Sequence, residues 1–203
     1  VIGGHVDAIS EDPYNLAPGA EDNASGAAMA LEAARILRDE DLELTVKFAN
    51  FTGEEQGLYG SQHYAARLRS EGVDVVGMLN FDMVAWPGGD WGVRLVGLRR
   101  AYRLGELQEK MADEYTGLDH STQYRSFPSD SRSFEDQGYL ASSGYEYGHI
   151  PYQWYHSTGD TLGNLSMDLA AEVARMAVTA VAYLASAPVA PPHFGLPCLY
   201  YDY

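Results

Sequence analysis

The stretch Val75-Val76-Gly77-Met78-Leu79-Asn80-Phe81, closed by Asp82, decides the fold. A run this apolar, of strand length and ending on a carboxylate, is the pattern of a β-strand buried on both faces, as in parallel sheets covered by helices. Upstream, Thr45 to Phe51 alternates as Thr-Val-Lys-Phe-Ala-Asn-Phe and reads as a second strand, followed by the turn Thr52-Gly53-Glu54-Glu55-Gln56-Gly57. Leu58 to Ser70 has helical period and stops at Glu71-Gly72, and Asn23 to Asp39 is a further helix rich in Ala, Leu and Met. Val1-Ile2-Gly3-Gly4-His5 has the character of the last part of a strand. Downstream, Pro87-Gly88-Gly89 marks a turn, Gly92 to Leu98 another strand, and Arg99 to Tyr115 an amphipathic helix. Tyr139 to Tyr147 is the expected last strand, and Met167 to Ala187 the longest helix. Alternation of this kind predicts an α/β fold, three layers α/β/α around a mostly parallel central sheet.

With 203 residues and 46% hydrophobic content, one domain over residues 1–187 accounts for the core. Residues 188–203 carry four prolines and three tyrosines and read as a C-terminal tail without a core of its own. Acidic residues outnumber basic ones 29 to 13, a formal net charge of −16, which argues against nucleic acid as a partner because that role needs a basic face. No apolar run is long enough to predict a membrane span. Cys198 is the only cysteine, so no internal disulfide is expected and its thiol is read as inert.

Ionisable groups collect where these elements end. His5 and Asp7 follow the first strand, Asp22 precedes the first helix, Glu54 and Glu55 follow the second strand, and Asp82 follows the buried run. In open α/β sheets ligands gather outside the carboxyl ends of the strands. Taken singly, each has an ordinary reading. His-x-Asp is more often a hydrogen-bonded pair at a strand end, Asp22-Asn23 a helix N-cap, Glu54-Glu55 a solvated turn, and His156 a loop histidine. All of them at one edge of the sheet is harder to ascribe to chance. Histidine and carboxylate donors without thiolate suit a catalytic zinc centre, with manganese or cobalt as alternatives. A carboxylate bridging two cations would let them share one water.

The segments Gly4-His5-Val6-Asp7, Pro18 to Gly26, Thr52 to Gly57, Asn80-Phe81-Asp82-Met83 and Tyr155-His156-Ser157 resemble, in order, those of the co-catalytic di-zinc exopeptidases, which include the bacterial leucyl-type aminopeptidases. The resemblance runs from residue 5 to about residue 165 and implies two Zn2+ and peptide substrates. It implies that His5 and Asp82 hold one zinc, Glu55 and His156 the other, and that Asp22 bridges them. Asp7 would accept the free ring N–H of His5, and Asp130, within Ser129 to Phe134, would support the ligands from behind. Glu54 would be general base and then acid, and Tyr155 would steady the oxyanion. Tyr145, Tyr147, Tyr152 and Trp154 cluster before His156 and are candidates for a side-chain pocket, with an apolar N-terminal residue expected.

Three other readings compete with the aminopeptidase one. A glutaminyl cyclase shares the fold and most ligands. A carboxypeptidase would need a cation for the terminal carboxylate, such as Arg125 or Arg132. A non-catalytic binding module would keep the scaffold alone. Members of the resembled family carry a helix and further strands before the His-x-Asp strand, so this chain is expected to be part of a longer one. Its relatives' export implies a secreted or periplasmic home.

Overall fold

The computed structural model describes residues 1–186, so the Pro/Tyr-rich tail, Cys198 and the last residue of the expected domain lie outside the described residues. Among these residues six strands form one sheet in the order β2-β1-β3-β6-β4-β5. They are β1 (Ile2–His5), β2 (Phe48–Phe51), β3 (Met78–Phe81), β4 (Gly92–Gly97), β5 (Asp119–Tyr124) and β6 (Ala141–Glu146). Strands β2, β1, β3 and β6 run parallel, while β4 pairs antiparallel to β6 and β5 runs parallel to β4. The three-layer, mostly parallel architecture expected from the alternating pattern is the one found.

Among the described residues five α-helices cover the sheet: α1 (Gly26–Leu37), α2 (Tyr59–Ser70), α3 (Tyr102–Tyr115), α4 (Asp130–Asp136) and α5 (Met167–Ala185). Helices α1, α3 and α5 pack on one face, where Ile2, Met29, Leu79, Phe81, Leu95, Leu104 and Met176 form the larger core. Helices α2 and α4 cover the other, over Phe51, Leu68, Met78, Phe134 and Tyr139. Burial on both faces explains why β3 is buried at all four of its residues. Parallel pairing of β1 with β2 and β3 brings the strand ends His5, Phe51 and Phe81 to one edge.

Boundaries moved inward from the expected ones. Thr45 to Lys47 lie outside β2, and α1 begins at Gly26, after an irregular helical turn over Ala20–Ser25 in which Asp22 and Asn23 leave helical geometry. Two elements carry no apolar signal in the sequence. β5 reads Asp-His-Ser-Thr-Gln-Tyr and is set by pairing with all six residues of β4, and α4 is only seven residues long.

Close approach of α1 to the sheet is what delivers Asp22 to the strand ends. A Cβ on Gly4 would lie 2.5 Å from the Phe81 carbonyl oxygen, and one on Gly26 would overlap that same oxygen. Gly4 of β1 and Gly26 of α1, both set against the last carbonyl of β3, therefore let the helix start sit against the sheet.

Candidate metal centre

His5 closes β1, Asp82 follows β3, Glu55 lies in the turn after β2, Asp22 sits in the turn entering α1, and His156 lies in the long connection after β6. The structure brings these five side chains into two groups that share Asp22. His5 Nε2 is 3.2 Å from Asp22 Oδ1 and 3.5 Å from Asp82 Oδ1. His156 Nε2 is 3.1 Å from Asp22 Oδ2 and 3.0 Å from Glu55 Oε2. Within each group the donor atoms lie within 4.8 Å of one another.

The donors fit divalent cations on their own geometry. Nδ1 of His5 lies 3.0 Å from the backbone carbonyl of Asp7, an atom that can only accept, so this nitrogen carries the proton. Nε2 of a neutral His5 therefore turns a lone pair toward two carboxylate oxygens, an arrangement that needs a positive charge between them. In the metal-free chain a proton on Nε2 takes that place. Burial opposes charging His5, yet the hydrogen bonds of Asp22 and Asp82 and the charges of Asp82 and Glu54 push its pKa up to about 12. Nε2 of His156 and Oε1 of Glu55 are buried without a hydrogen-bond partner, as ligand atoms facing a cation would be. Burial raises Asp22, with Asp82 adding to it, and burial together with Asp22 raises Glu55 to about 8. These are the marks of excess negative charge gathered in one place.

Neighbouring side chains brace the ligand loops against one another. The carboxylate of Asp7 accepts the amides of Glu54 (3.2 Å) and Glu55 (3.1 Å), which corrects the expectation for this residue. Its backbone carbonyl, not its carboxylate, lies at hydrogen-bond distance from the His5 ring, the nearer carboxylate oxygen being 3.7 Å away. The carboxylate instead ties the end of β1 to the turn after β2. Glu21, fully buried, accepts the amides of Ala85 and Trp86 just beyond Asp82. Asp160 accepts the amides of Glu21 (2.7 Å) and Asp22 (3.0 Å) and the hydroxyl of Tyr152 (2.7 Å). Asn23 donates to the Phe81 carbonyl and accepts from Gly26 and Met83. Glu21, Asn23 and Asp160 were not singled out as functional in the sequence. Their signal was polar identity inside the ligand-bearing segments, which does not distinguish a strut from a solvated neighbour.

Glu54 is half-buried beside the donors. Burial pushes its carboxyl up to about 8, with Asp82, Asp130 and Glu55 adding to the shift and His5 opposing it. Asp130 is buried in the first turn of α4 and is pushed up to about 6 by burial, against the Ser61 hydroxyl and His5. Tyr155 is half exposed, and its ring stacks on His156 with centroids 3.7 Å apart. His156 and Met83, either side of the centre, are held at φ of 52° and 60°, a region that side-chain-bearing residues rarely occupy.

The four pocket candidates separate. Tyr152 is buried, with its hydroxyl spent on Asp160 and its ring against Trp86, so it is a strut of the Asp22 loop and not a pocket wall. Trp154 lies against Gly159 with 38% of its surface exposed. Tyr145 and Tyr147 flank the Arg94 guanidinium, with centroids 5.3 and 5.8 Å from it. Arg132 is paired with Asp136 at 2.8 Å, whereas Arg125 reaches the hydroxyl of Tyr145.

The sequence matches Peptidase family M28 over residues 1–181. The chain belongs to that family. A probable zinc metalloprotease of Pyrenophora tritici-repentis is 42% identical over 108 residues, 52% of this chain and 22% of that protein. An aminopeptidase from Aneurinibacillus sp. strain AM-1 superposes with a TM-score of 0.75 at 30% identity, covering 93% of this chain and 43% of that one. A zinc aminopeptidase from Bacillus subtilis shares the fold with a TM-score of 0.79 at 24% identity, over 93% of this chain and 46% of its own. The M28 chain thus spans about a quarter or less of the curated relatives it matches and under half of these solved structures.

Proposed function

We propose that this M28 chain is the catalytic part of a zinc-dependent exopeptidase that releases the N-terminal residue of peptides. The observation that carries the reading is the pair of donor triads joined at Asp22, with a half-buried carboxyl at Glu54 beside them. His5, Asp22 and Asp82 would hold one zinc, and Asp22, Glu55 and His156 the other. When bound, the two ions would supply Lewis-acid polarisation of the scissile carbonyl and a more acidic shared water.

The chain's own residues do the rest. Glu54 removes the proton from the attacking water and passes it to the departing amine. Tyr155, whose ring stacks on His156, offers its hydroxyl to the developing oxyanion. Asp7, Glu21 and Asp160 keep the ligand loops in register, so little reorganisation is left to the moment of reaction. Family membership and the 30% identical aminopeptidase support this reading.

The test is elemental analysis together with hydrolysis of leucine p-nitroanilide, with and without chelator. The expected result is about two zinc ions per chain and chelator-sensitive release. Two zinc ions without release from the amino end would overturn the aminopeptidase assignment while keeping the metal centre.

A further inference from the structure

Three groups outside the metal centre converge in a way that packing alone does not demand. Arg94 of β4 stands opposite Tyr145 of β6 in the antiparallel register. Its guanidinium donates to the Tyr147 carbonyl at 2.9 Å and to the Tyr145 hydroxyl at 3.5 Å, and its Nε is buried without a partner. From the other side Arg125, which is exposed, donates to the same Tyr145 hydroxyl at 3.2 Å. Phe127 stacks on the Tyr145 ring at 4.7 Å and holds it in place. Five of the eleven arginines, Arg35, Arg38, Arg67, Arg132 and Arg175, are paired with a carboxylate. Among the described residues Arg69, Arg99, Arg100 and Arg103 are not, and none of these four shares an acceptor oxygen with a second arginine as Arg94 and Arg125 do. Among the described residues neither Arg94 nor Arg125 has a carboxylate within 4.0 Å.

Two cations aimed at one neutral oxygen repel each other, and a net charge of −16 provides many carboxylates that could have been placed between them. Arginine's planar fork matches a carboxylate, and a phenol beside it supplies one more donor. The cluster adjoins the metal centre. The Gly144 carbonyl, one residue before Tyr145, accepts the Asp82 amide at 3.0 Å, and Glu146, one residue after, feels the charges of both Arg94 and Asp82.

We propose that Arg94, Arg125 and the Tyr145 hydroxyl form a subsite for a carboxylate of the substrate, beside the metal centre. As a statement about substrate this rests on the exopeptidase reading; as a statement about carboxylate binding it does not. The subsite also departs from the purely apolar pocket expected of an aromatic cluster. Two carboxylates could occupy it: the side chain of an acidic N-terminal residue, or the C-terminus of a short peptide.

Paired substrates separate the two. Glutamyl against glutaminyl p-nitroanilide tests the side chain, and Leu-Gly against leucyl-glycinamide tests the terminus. The expected result is a preference of about tenfold to hundredfold in kcat/KM for the charged member of one pair, lost in Arg125→Gln and Arg94→Gln. Equal turnover within both pairs, or a preference that survives both substitutions, overturns the proposal. Calorimetric titration of glutarate into zinc-loaded protein is a readout independent of turnover. Binding should weaken at least about tenfold in Arg125→Gln with zinc content unchanged, and equal affinities overturn the subsite. Arg125 is exposed, so this variant is expected to fold even where Arg94→Gln does not. If no peptide is cleaved, the exopeptidase reading fails and the glutarate titration still decides the subsite.

Discussion

At Asp7 one carboxylate holds the backbone of the proposed base and a proposed zinc ligand, accepting the amides of Glu54 and Glu55 at 3.2 and 3.1 Å. Asp7→Asn would turn an amide N–H2 toward one of those N–H groups and leave it unpaired. The expected outcome is a loss of about 1–3 kcal/mol in stability and of about 10- to 100-fold in zinc affinity. Chelator competition and thermal melting would measure both. Glu54→Gln is a different kind of change, since Gln fills the same space but cannot take a proton. It should lower kcat by about 10²–10⁴-fold, with zinc content intact. Near-normal turnover in that variant would remove Glu54 from the mechanism. The donor residues themselves were legible in the sequence because imidazole and carboxylate are the side chains that chemistry requires, whatever surrounds them. The struts were not legible. Nothing in Pro18-Gly19-Ala20-Glu21-Asp22-Asn23 says that Glu21 turns inward to the amides of Ala85 and Trp86 while Asp22 faces the histidines.

Helix α1 is the element whose position matters most, because its first residue lies against β3 with no room for a methyl group. Gly26→Ala would push a Cβ into the Phe81 carbonyl and lift the helix start, and Asp22 with it. The expected cost is about 1–3 kcal/mol in denaturant titration, accompanied by weaker zinc binding. Unchanged stability and unchanged metal affinity would show that the close approach is not needed. Elements with an apolar pattern, such as β3 and α5, could be placed from sequence, since burial on one or both faces writes a period into the chain. β5 could not. Its polar Asp-His-Ser-Thr-Gln-Tyr is an edge strand set by hydrogen bonds to β4, which leave no trace in side-chain periodicity. The same holds for the antiparallel turn of β4 against β6, a choice of direction that the composition of Gly92 to Gly97 does not reveal.

Across the molecule, negative charge is concentrated where the strands end. In the metal-free chain Glu54 and Glu55 are raised from 4.5 to about 8, and His5 from 6.5 to about 12. The folded state therefore keeps protons that the unfolded chain has released, so stability falls as pH rises through that interval. For the carboxyls this contribution is complete below about 4.5 and fades by about 8, and for His5 it fades between 6.5 and about 12. Melting of metal-free protein should accordingly drop from pH 6 to pH 9, by the linkage that makes folding bind protons there. Zinc at about a hundredfold its dissociation constant should restore about 2.7 kcal/mol and reverse the trend, because the ions replace the protons. A melting temperature that rises between those pH values without metal would contradict the charge arrangement described.

What the sequence by itself determined was the class of chemistry and the class of fold. Donor identity follows from the side chains, and layered α/β architecture follows from apolar runs that can only be buried between helices. What only the tertiary structure decided was convergence. Asp22 became the shared member of two triads, Asp7 a brace for the turn after β2, Tyr152 a strut, and Tyr145 the meeting point of two arginines. Each of these depends on which strands are neighbours and how closely a helix approaches the sheet. Such distances come from the packing of residues far apart in the chain, which local periodicity does not encode.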